Sequence, residues 1–153
     1  MFVSRYRSVL VSVLALMTIF LASCGDRPTA QAPTYTPVAL EQIEFHTARV
    51  SVMRERMSEL ERLIQAKDWT NVENFIHGPL GTLRQEISSI NRNLLPESQR
   101  QGRQIARDLF RDLEEISLAA KERSFAQIAQ NYPESLADFD EFLSLLPQAE
   151  TER

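Results

Sequence analysis

The 153-residue chain has little of the material from which catalytic and metal sites are usually built. It contains one cysteine, two histidines, one tryptophan and four glycines. A single cysteine excludes an internal disulfide and a Cys-x-x-Cys-His attachment of haem. The sequence also has no glycine-rich phosphate loop, nucleophile elbow or zinc-protease helix. No pair of titratable groups is set up for acid–base catalysis, so we predict that the protein is not an enzyme.

The charge balance is acidic. The whole chain carries a net charge of −4, and without its first 23 residues, which contribute two arginines and no acids, the value is about −6. Nucleic acid requires a basic footprint on its partner, and tight adhesion to an anionic membrane surface requires basic clusters. We therefore expect no nucleic-acid partner. The missing motifs likewise predict no small-molecule substrate.

The first 23 residues have the features of a secretory signal peptide. Arg5 and Arg7 form a basic start, and residues 9–21 are an apolar run of thirteen, shorter than the roughly 20 residues that cross a bilayer. The letters LASCG that follow resemble a bacterial lipobox, which predicts that Cys24 is lipidated and anchors the protein to a membrane. Each buried acyl CH₂ contributes about 0.8 kcal/mol to such an anchor. An ordinary signal peptide with an unused cysteine is the alternative.

The rest of the chain divides by composition into three parts. Residues 24–37 are rich in Pro, Thr, Ala and Gln and predict a flexible lipidated tether. Residues 38–147 carry the apolar pattern of one folded domain. Residues 148–153 are polar and are expected to form a disordered tail.

Residues 38–147 show the spacing of amphipathic helices, with apolar side chains three, four or seven positions apart and no sustained alternation with period two. Four such stripes follow one another with short connections, which predicts an all-α, up-down-up-down four-helix bundle. The stripes comprise Ile43, Val50, Met53, Met57, Leu60 and Ile64; Val72, Ile76, Leu83, Ile87, Ile90 and Leu94; Ile105, Leu109, Leu113, Ile116 and Ala120; and Ile128, Tyr132, Leu136, Phe139, Leu143 and Leu146.

Local signals mark where the helices begin. Asp68 stands at the N-cap position of the second helix, and Pro96 suits the first turn of the third. Ser124 and Gln127 form a capping-box pattern for the fourth. We expect Trp69 to lie in the core or to close one end of the bundle.

Two prolines conflict with four uninterrupted helices. Pro79 and Pro133 fall inside helical patterns, where each removes a backbone donor and crowds the preceding turn at a cost of about 3 kcal/mol. Gly78 and Gly81 flank the first proline and make the chain locally soft. We predict a kink or a short break at each proline.

The two histidines, His46 and His77, are candidate metal ligands. Glu44 lies beside His46, and Glu73 lies four residues before His77, an arrangement that could hold adventitious zinc or calcium. A haem held by one histidine and one methionine is a further alternative, although methionines on such stripes usually fill cores. The methionines concerned are Met53 and Met57. No second histidine or cysteine stands at a metal-binding spacing, so we favour surface histidines and expect no cofactor.

Asp138, Asp140 and Glu141 form an acidic cluster in the fourth helix. Charges on a helix face are usually solvated, and this is the first interpretation. A docking patch for a basic partner is the second. The candidate docking surface comprises His77, Gly78, Pro79, Asp138 and Asp140.

Particular runs resemble the cyanobacterial PsbQ family, also called CyanoQ. They are Trp69, the letters IHGPLG at 76–81 followed by LRQ at 83–85, LLP at 94–96 and ADFDEFLSLLP at 137–147. The likeness covers residues 38–147 in the same order and spacing. The lipobox also suits the cyanobacterial branch of the family.

The resemblance implies a four-helix bundle that is lipid-anchored on the lumenal side of the thylakoid membrane. It implies binding to the photosystem II core beside PsbO and the inner-antenna chlorophyll protein. The implied role is to stabilise the oxygen-evolving complex and the photosystem II assembly and to help retain calcium and chloride, without a ligand to the manganese cluster. The alternative from the residues alone is a generic helical-bundle lipoprotein that binds a metal or haem.

Overall fold

The computed structural model describes residues 33–147, which form five α-helices and no strand. The helices are α1 (Pro37–Gln65), α2 (Trp69–His77), α3 (Leu83–Asn93), α4 (Pro96–Lys121) and α5 (Phe125–Ser144). The predicted all-α class is confirmed. None of these helices is both long and apolar enough to span a membrane. The predictions for the signal peptide at 1–23, for Cys24, for the tether up to residue 32 and for the tail at 148–153 lie outside the described residues.

The second predicted helix is divided at Pro79, as expected. The chain turns there through short backbone hydrogen bonds, from the Gly78 N–H to the Asn74 carbonyl (2.8 Å) and from the Gly81 N–H to the Gly78 carbonyl (2.9 Å). A Cβ on Gly78 would lie 2.8 Å from the Asn74 carbonyl oxygen, and one on Gly81 would lie 2.5 Å from that of His77. Both glycines therefore allow the backbone to pack on itself. We refer to α2 and α3 together as the second rod.

Of the kink or short break predicted at Pro133, the break is wrong, because α5 runs through this residue without interruption. The hydrogen bond that proline removes is the one to the carbonyl of Ala129. Ala129 and Pro133 are both exposed, so water can satisfy this carbonyl. The buried side of α5 carries Ile128, Ser135 and Phe139, each fully buried, and their packing holds the helix together.

Two of the three predicted helix starts are confirmed in full. The Asp68 side chain accepts a hydrogen bond from the Asn71 N–H (3.4 Å), and α4 begins at Pro96. Ser124 is the N-cap residue of α5, but its side chain makes no capping hydrogen bond. The predicted capping box with Gln127 is therefore wrong.

The rods pack as a ring in which each contacts two others. Helix α1 lies against the second rod and α5, and α4 lies against the same two. For three of the four pairs of neighbouring rods, contacting residues run in opposite order along the chain. Between α1 and the second rod, the pairs are His46 with Glu86 and Arg56 with Phe75. Between the second rod and α4, they are His77 with Ser117 and Arg84 with Phe110. Between α1 and α5, they are Arg54 with Asp140 and Met57 with Tyr132.

The four predicted stripes meet in one core. Every residue of the second and third stripes is buried, as are five of the six in the first and three of the six in the fourth. Met53, Tyr132, Leu136 and Leu143 are half-buried at the edge of this core, as is Trp69. The stripes therefore placed the core correctly. Tyr35, which precedes α1, also packs against it.

Candidate functional site

His77 lies at the end of α2, where it ties the second rod to α4. Its side chain is exposed, but its Nε2 lies 3.0 Å from the Oγ of Ser117, a residue that is only 1% exposed. Gly78 and Pro79 form the turn that follows. The run from His77 to Gly81 thus has a structural cause, the break between α2 and α3 within the second rod, and its role in docking stays a prediction.

His46 is held by a residue that sequence reasoning missed. Its Nδ1 lies 2.5 Å from one oxygen of the buried Glu86 carboxylate, and Arg49 donates to the other oxygen (3.1 Å). Burial alone would raise the pKa of Glu86, but the hydrogen bonds from His46 and Arg49 lower it below its ordinary value. Glu44, the neighbour considered from the sequence, is exposed. The link between α1 and α3 spans 40 residues, so no local pattern could reveal it.

The candidate metal ligands are not brought together. Glu73 lies 3.3 Å from the Lys121 ammonium group without hydrogen-bond geometry, while His77 faces Ser117 and His46 faces Glu86. Over residues 33–147, no group of three or more His, Cys, Asp and Glu side chains is placed to hold a metal ion. The methionines considered for haem differ in burial. Met57 is fully buried in the core, and Met53 is half-buried at its edge.

Asp140 forms a bidentate ion pair across the bundle. Its two carboxylate oxygens accept hydrogen bonds of 2.8 and 2.7 Å from the Arg54 guanidinium on α1. This geometry matches the fork of arginine to the plane of the carboxylate. Asp140 therefore already has a cationic partner within the chain.

Asp138 lies in a seam between α4 and α5. The pKa of its carboxyl is raised to about 6, mainly by burial and further by the carboxylates of Asp112, Asp108 and Glu141, while Arg111 opposes the rise. Asp112 is 1% exposed and accepts hydrogen bonds from the Arg111 side chain. We call Asp108, Asp112, Asp138 and Glu141 the acidic seam. The cluster seen in the sequence is thus partly packed against α4 rather than fully solvated.

The two parts of the candidate docking surface lie on rods that are not neighbours in the ring. His77, Gly78 and Pro79 belong to the second rod, whereas Asp138 and Asp140 belong to α5. Within the described range, no Cα atom of α2 or α3 lies within 8 Å of a Cα atom of α5. The two parts of the candidate docking surface are therefore separate patches of the protein surface.

A basic groove between α3 and α4 was not predicted. Four arginine side chains line it over a floor that includes Ile87, Ala106 and Phe110, and its volume is about 370 Å³. We call it the arginine groove, and its arginines are Arg84, Arg92, Arg103 and Arg107. The only sequence signal is their helical spacing, eight residues apart on α3 and four apart on α4. The net negative charge of the chain gives no indication of this basic groove.

A second groove lies between α1 and the second rod. It includes Val52, Met53 and Pro79 and has a volume of about 420 Å³. Val52 and Phe45 on α1 are both more than half exposed, and the Arg49 guanidinium lies 4.5 Å from the centre of the Phe45 ring. This face of α1 is more apolar than an ordinary solvated helix face.

The described residues form an all-helical bundle whose candidate sites lie on its outer faces. The family model for PsbQ, oxygen evolving enhancer protein 3, matches residues 3–147, and the chain belongs to this family. It is similar to CyanoQ of Synechocystis sp. (strain ATCC 27184 / PCC 6803 / Kazusa). The two are 39% identical over 147 residues, which cover 95% of this chain and 99% of that protein. The family resemblance drawn from the sequence is confirmed.

Proposed function

We propose that this protein is an extrinsic subunit of photosystem II that binds the lumenal face of the complex. Its role is to stabilise the oxygen-evolving complex and the assembly as a whole, and to help retain calcium and chloride. The observation that carries this proposal is the match to the PsbQ family along almost the entire chain. We propose PsbO and the inner-antenna chlorophyll protein as the contacting partners.

An up-down-up-down bundle suits this role because it presents rigid outer faces. The opposite order of contacts between neighbouring rods supports that topology. A protein that binds only the assembled state stabilises it by mass action. The effect is about 2.7 kcal/mol when the local concentration is a hundred times Kd. Such a role needs contact surfaces and no reactive groups.

The lipid anchor is the second part of the proposal. Residues 1–23 are a lipoprotein signal peptide, Cys24 carries the lipid, and a tether joins it to the bundle. The predicted bounds, 24–37 for the tether and 38–147 for the bundle, shift slightly because α1 begins at Pro37 and Tyr35 packs against the core. Residues 148–153 form a tail. Confinement to the membrane raises the effective concentration of the bundle near its target without any new contact. The protein is then a lumenal, lipid-anchored protein of the thylakoid membrane.

Replacement of Cys24 by alanine behind a cleavable signal peptide tests the anchor. We expect the variant to be secreted and folded but to occupy fewer isolated photosystem II complexes at matched expression. Thr29→Ala is the matched control, because it changes the tether and keeps the thiol. Unchanged occupancy for Cys24→Ala would refute the contribution of the anchor and leave the bundle surface as the whole determinant.

Affinity purification of the native protein tests the function itself. We expect the photosystem II core to be recovered with it. Recovery without any photosynthetic reaction centre would refute the proposal. A Soret band or stoichiometric metal in the purified protein would favour the metal- or haem-binding lipoprotein instead.

A further inference from the structure

We infer that the arginine groove binds an acidic peptide segment of a partner protein. Where the partner is taken to be photosystem II, the inference rests on the proposed function. The preference for carboxylates depends only on the contacts of the groove. Nothing in the family match assigns a role to this face.

The charges of the arginine groove are positioned by neutral groups. The Arg92 guanidinium donates to the hydroxyls of Ser88 (3.0 Å) and Ser89 (2.9 Å), and Arg84 lies 4.0 Å from the centre of the Phe110 ring. On α4, Arg103 donates to the side-chain carbonyl of Gln99 (3.2 Å), and Arg107 donates to that of Gln104. Hydroxyls, amides and a ring fix the direction of a guanidinium without neutralising it.

None of the four forms an ion pair with a carboxylate of residues 33–147. Four other arginines do form such pairs, so the difference is not a general property of arginine in this chain. They are Arg49, Arg54, Arg56 and Arg111. The four guanidinium groups of the arginine groove are therefore oriented and able to bind carboxylates of another molecule.

The spacing of the four arginines predicts how far apart the carboxylates of the ligand should be. Arg84 and Arg92 are eight residues apart on α3, which separates their backbones by about 12 Å. Because α3 and α4 run in opposite order, Arg107 lies toward the Arg84 end and Arg103 toward the Arg92 end. Carboxylates four residues apart on an extended peptide are about 13 Å apart. A segment with acidic residues at this spacing would place one at each end.

The floor of the groove favours a peptide over a lipid headgroup. Between the two charged ends lie apolar groups of Ile87, Ala106 and Phe110, which match an apolar side chain between two acidic ones. A single phosphate headgroup could engage only one end. The net negative charge of the whole chain also opposes adsorption to an anionic bilayer.

The first test uses a defined probe, the peptide acetyl-EEALAEE-amide, with acetyl-QQALAQQ-amide for comparison. The full-length protein should bind the glutamate peptide at least about tenfold more tightly than the glutamine peptide at low salt. The difference should shrink as the ionic strength rises, since screening weakens exposed charge pairs. Equal binding of the two peptides would overturn the carboxylate preference, whatever the protein does on photosystem II.

The second test uses photosystem II complexes from which this protein has been removed. Arg92→Gln with Arg103→Gln should weaken rebinding at least about tenfold, because both cations at one end are lost. Arg62→Gln with Arg123→Gln removes the same charge from exposed positions outside the groove and should stay within about twofold of the parent. Arg92→Lys with Arg103→Lys, which keeps the charge, should bind better than the glutamine pair. Circular dichroism establishes that each variant is folded.

The outcomes separate the inference from the proposed function. If the parent and both glutamine variants rebind equally, the inference fails and the proposed function stands. If the parent does not rebind at all, the proposed function fails, and the peptide test alone decides the chemistry of the groove. If the groove variant loses only its binding to phosphatidylglycerol vesicles, the partner is a lipid and the inference fails.

Discussion

Replacement of Asp138 by asparagine should stabilise the bundle at neutral pH but not in acid. Burial and, to a smaller extent, the neighbouring carboxylates of the acidic seam together raise the pKa of this carboxyl from its ordinary 3.8 to about 6, while Arg111 opposes them. The ionised form is thus unfavourable in the folded protein. Asparagine has nearly the same shape and carries no charge, so it removes this cost.

The sign and size follow from the two pKa values. An acid whose folded-state pKa lies above its unfolded-state value costs no stability below about pH 4. The cost grows as the pH rises toward 6 and is complete above that. A shift of roughly two units corresponds to at most about 3 kcal/mol. Because the side chain is only partly removed from water, screening reduces the expected gain for Asp138→Asn to about 1 kcal/mol at pH 7.5.

Urea unfolding at pH 7.5 and pH 4 measures this difference. The variant should gain about 1 kcal/mol in the free energy of unfolding at pH 7.5, and the gain should nearly vanish at pH 4. Glu134→Gln is the control, since Glu134 is exposed on the same helix, and its change should be small at both pH values. A gain that is equal at the two pH values, or a loss at pH 7.5, would refute the electrostatic reasoning.

Two further predictions concern buried polar contacts. Glu86→Gln should destabilise the protein by about 2 kcal/mol at pH 7, because His46 and a neighbouring arginine lose their charged acceptor. The pKa of Glu86 is lowered in the folded state, so the loss of stability in the variant should shrink as the pH falls below about 4. Urea unfolding at pH 7 and pH 3 measures this loss. An equal loss at the two pH values would contradict the prediction. Gly102→Ala should destabilise by about 1–3 kcal/mol, because the new Cβ would lie 2.3 Å from the Asn91 side-chain oxygen. Thermal unfolding should show partial recovery when Asn91→Ala is added, and a stabilised Gly102→Ala would count against overpacking.

The sequence predicted those parts of the fold that depend on local spacing. The apolar stripes contained 19 of the 24 buried apolar residues, because a side chain three or four residues along a helix lies on the same face. The five that they missed are Phe75, Leu80, Ala106, Ala119 and Phe142. Asp68 and Pro96 marked helix starts because their effects act within one turn. The division at Pro79 was also local, since a proline and two glycines together specify a turn.

Features that depend on contacts between helices could not be predicted in this way. The cost of Pro133 is real, but burial of the opposite side of α5 outweighs it, and that burial depends on α4. The partner of His46 lies 40 residues away. The raised pKa of Asp138 depends first on its burial against α4 and then on the carboxylate of Asp112 across the acidic seam. The arginine groove was hidden because a net charge averages over the surface and reports nothing about how charges are distributed.

That distribution bears on how a bundle can dock in one orientation. Arg107 and Asp108 are consecutive on α4, and their side chains point about 100° apart around the helix axis. Helix α4 therefore separates the arginine groove on one side from the acidic seam on the other. A rod-shaped bundle with uniform charge could rotate about its axis against a partner at little cost. With opposite charges on adjacent faces, rotation of the acidic seam toward an acidic partner segment would replace attraction by repulsion. The partner segment that binds the arginine groove would then also fix the orientation of the bundle. Other orientations would be disfavoured, because they would bring the acidic seam against the acidic segment.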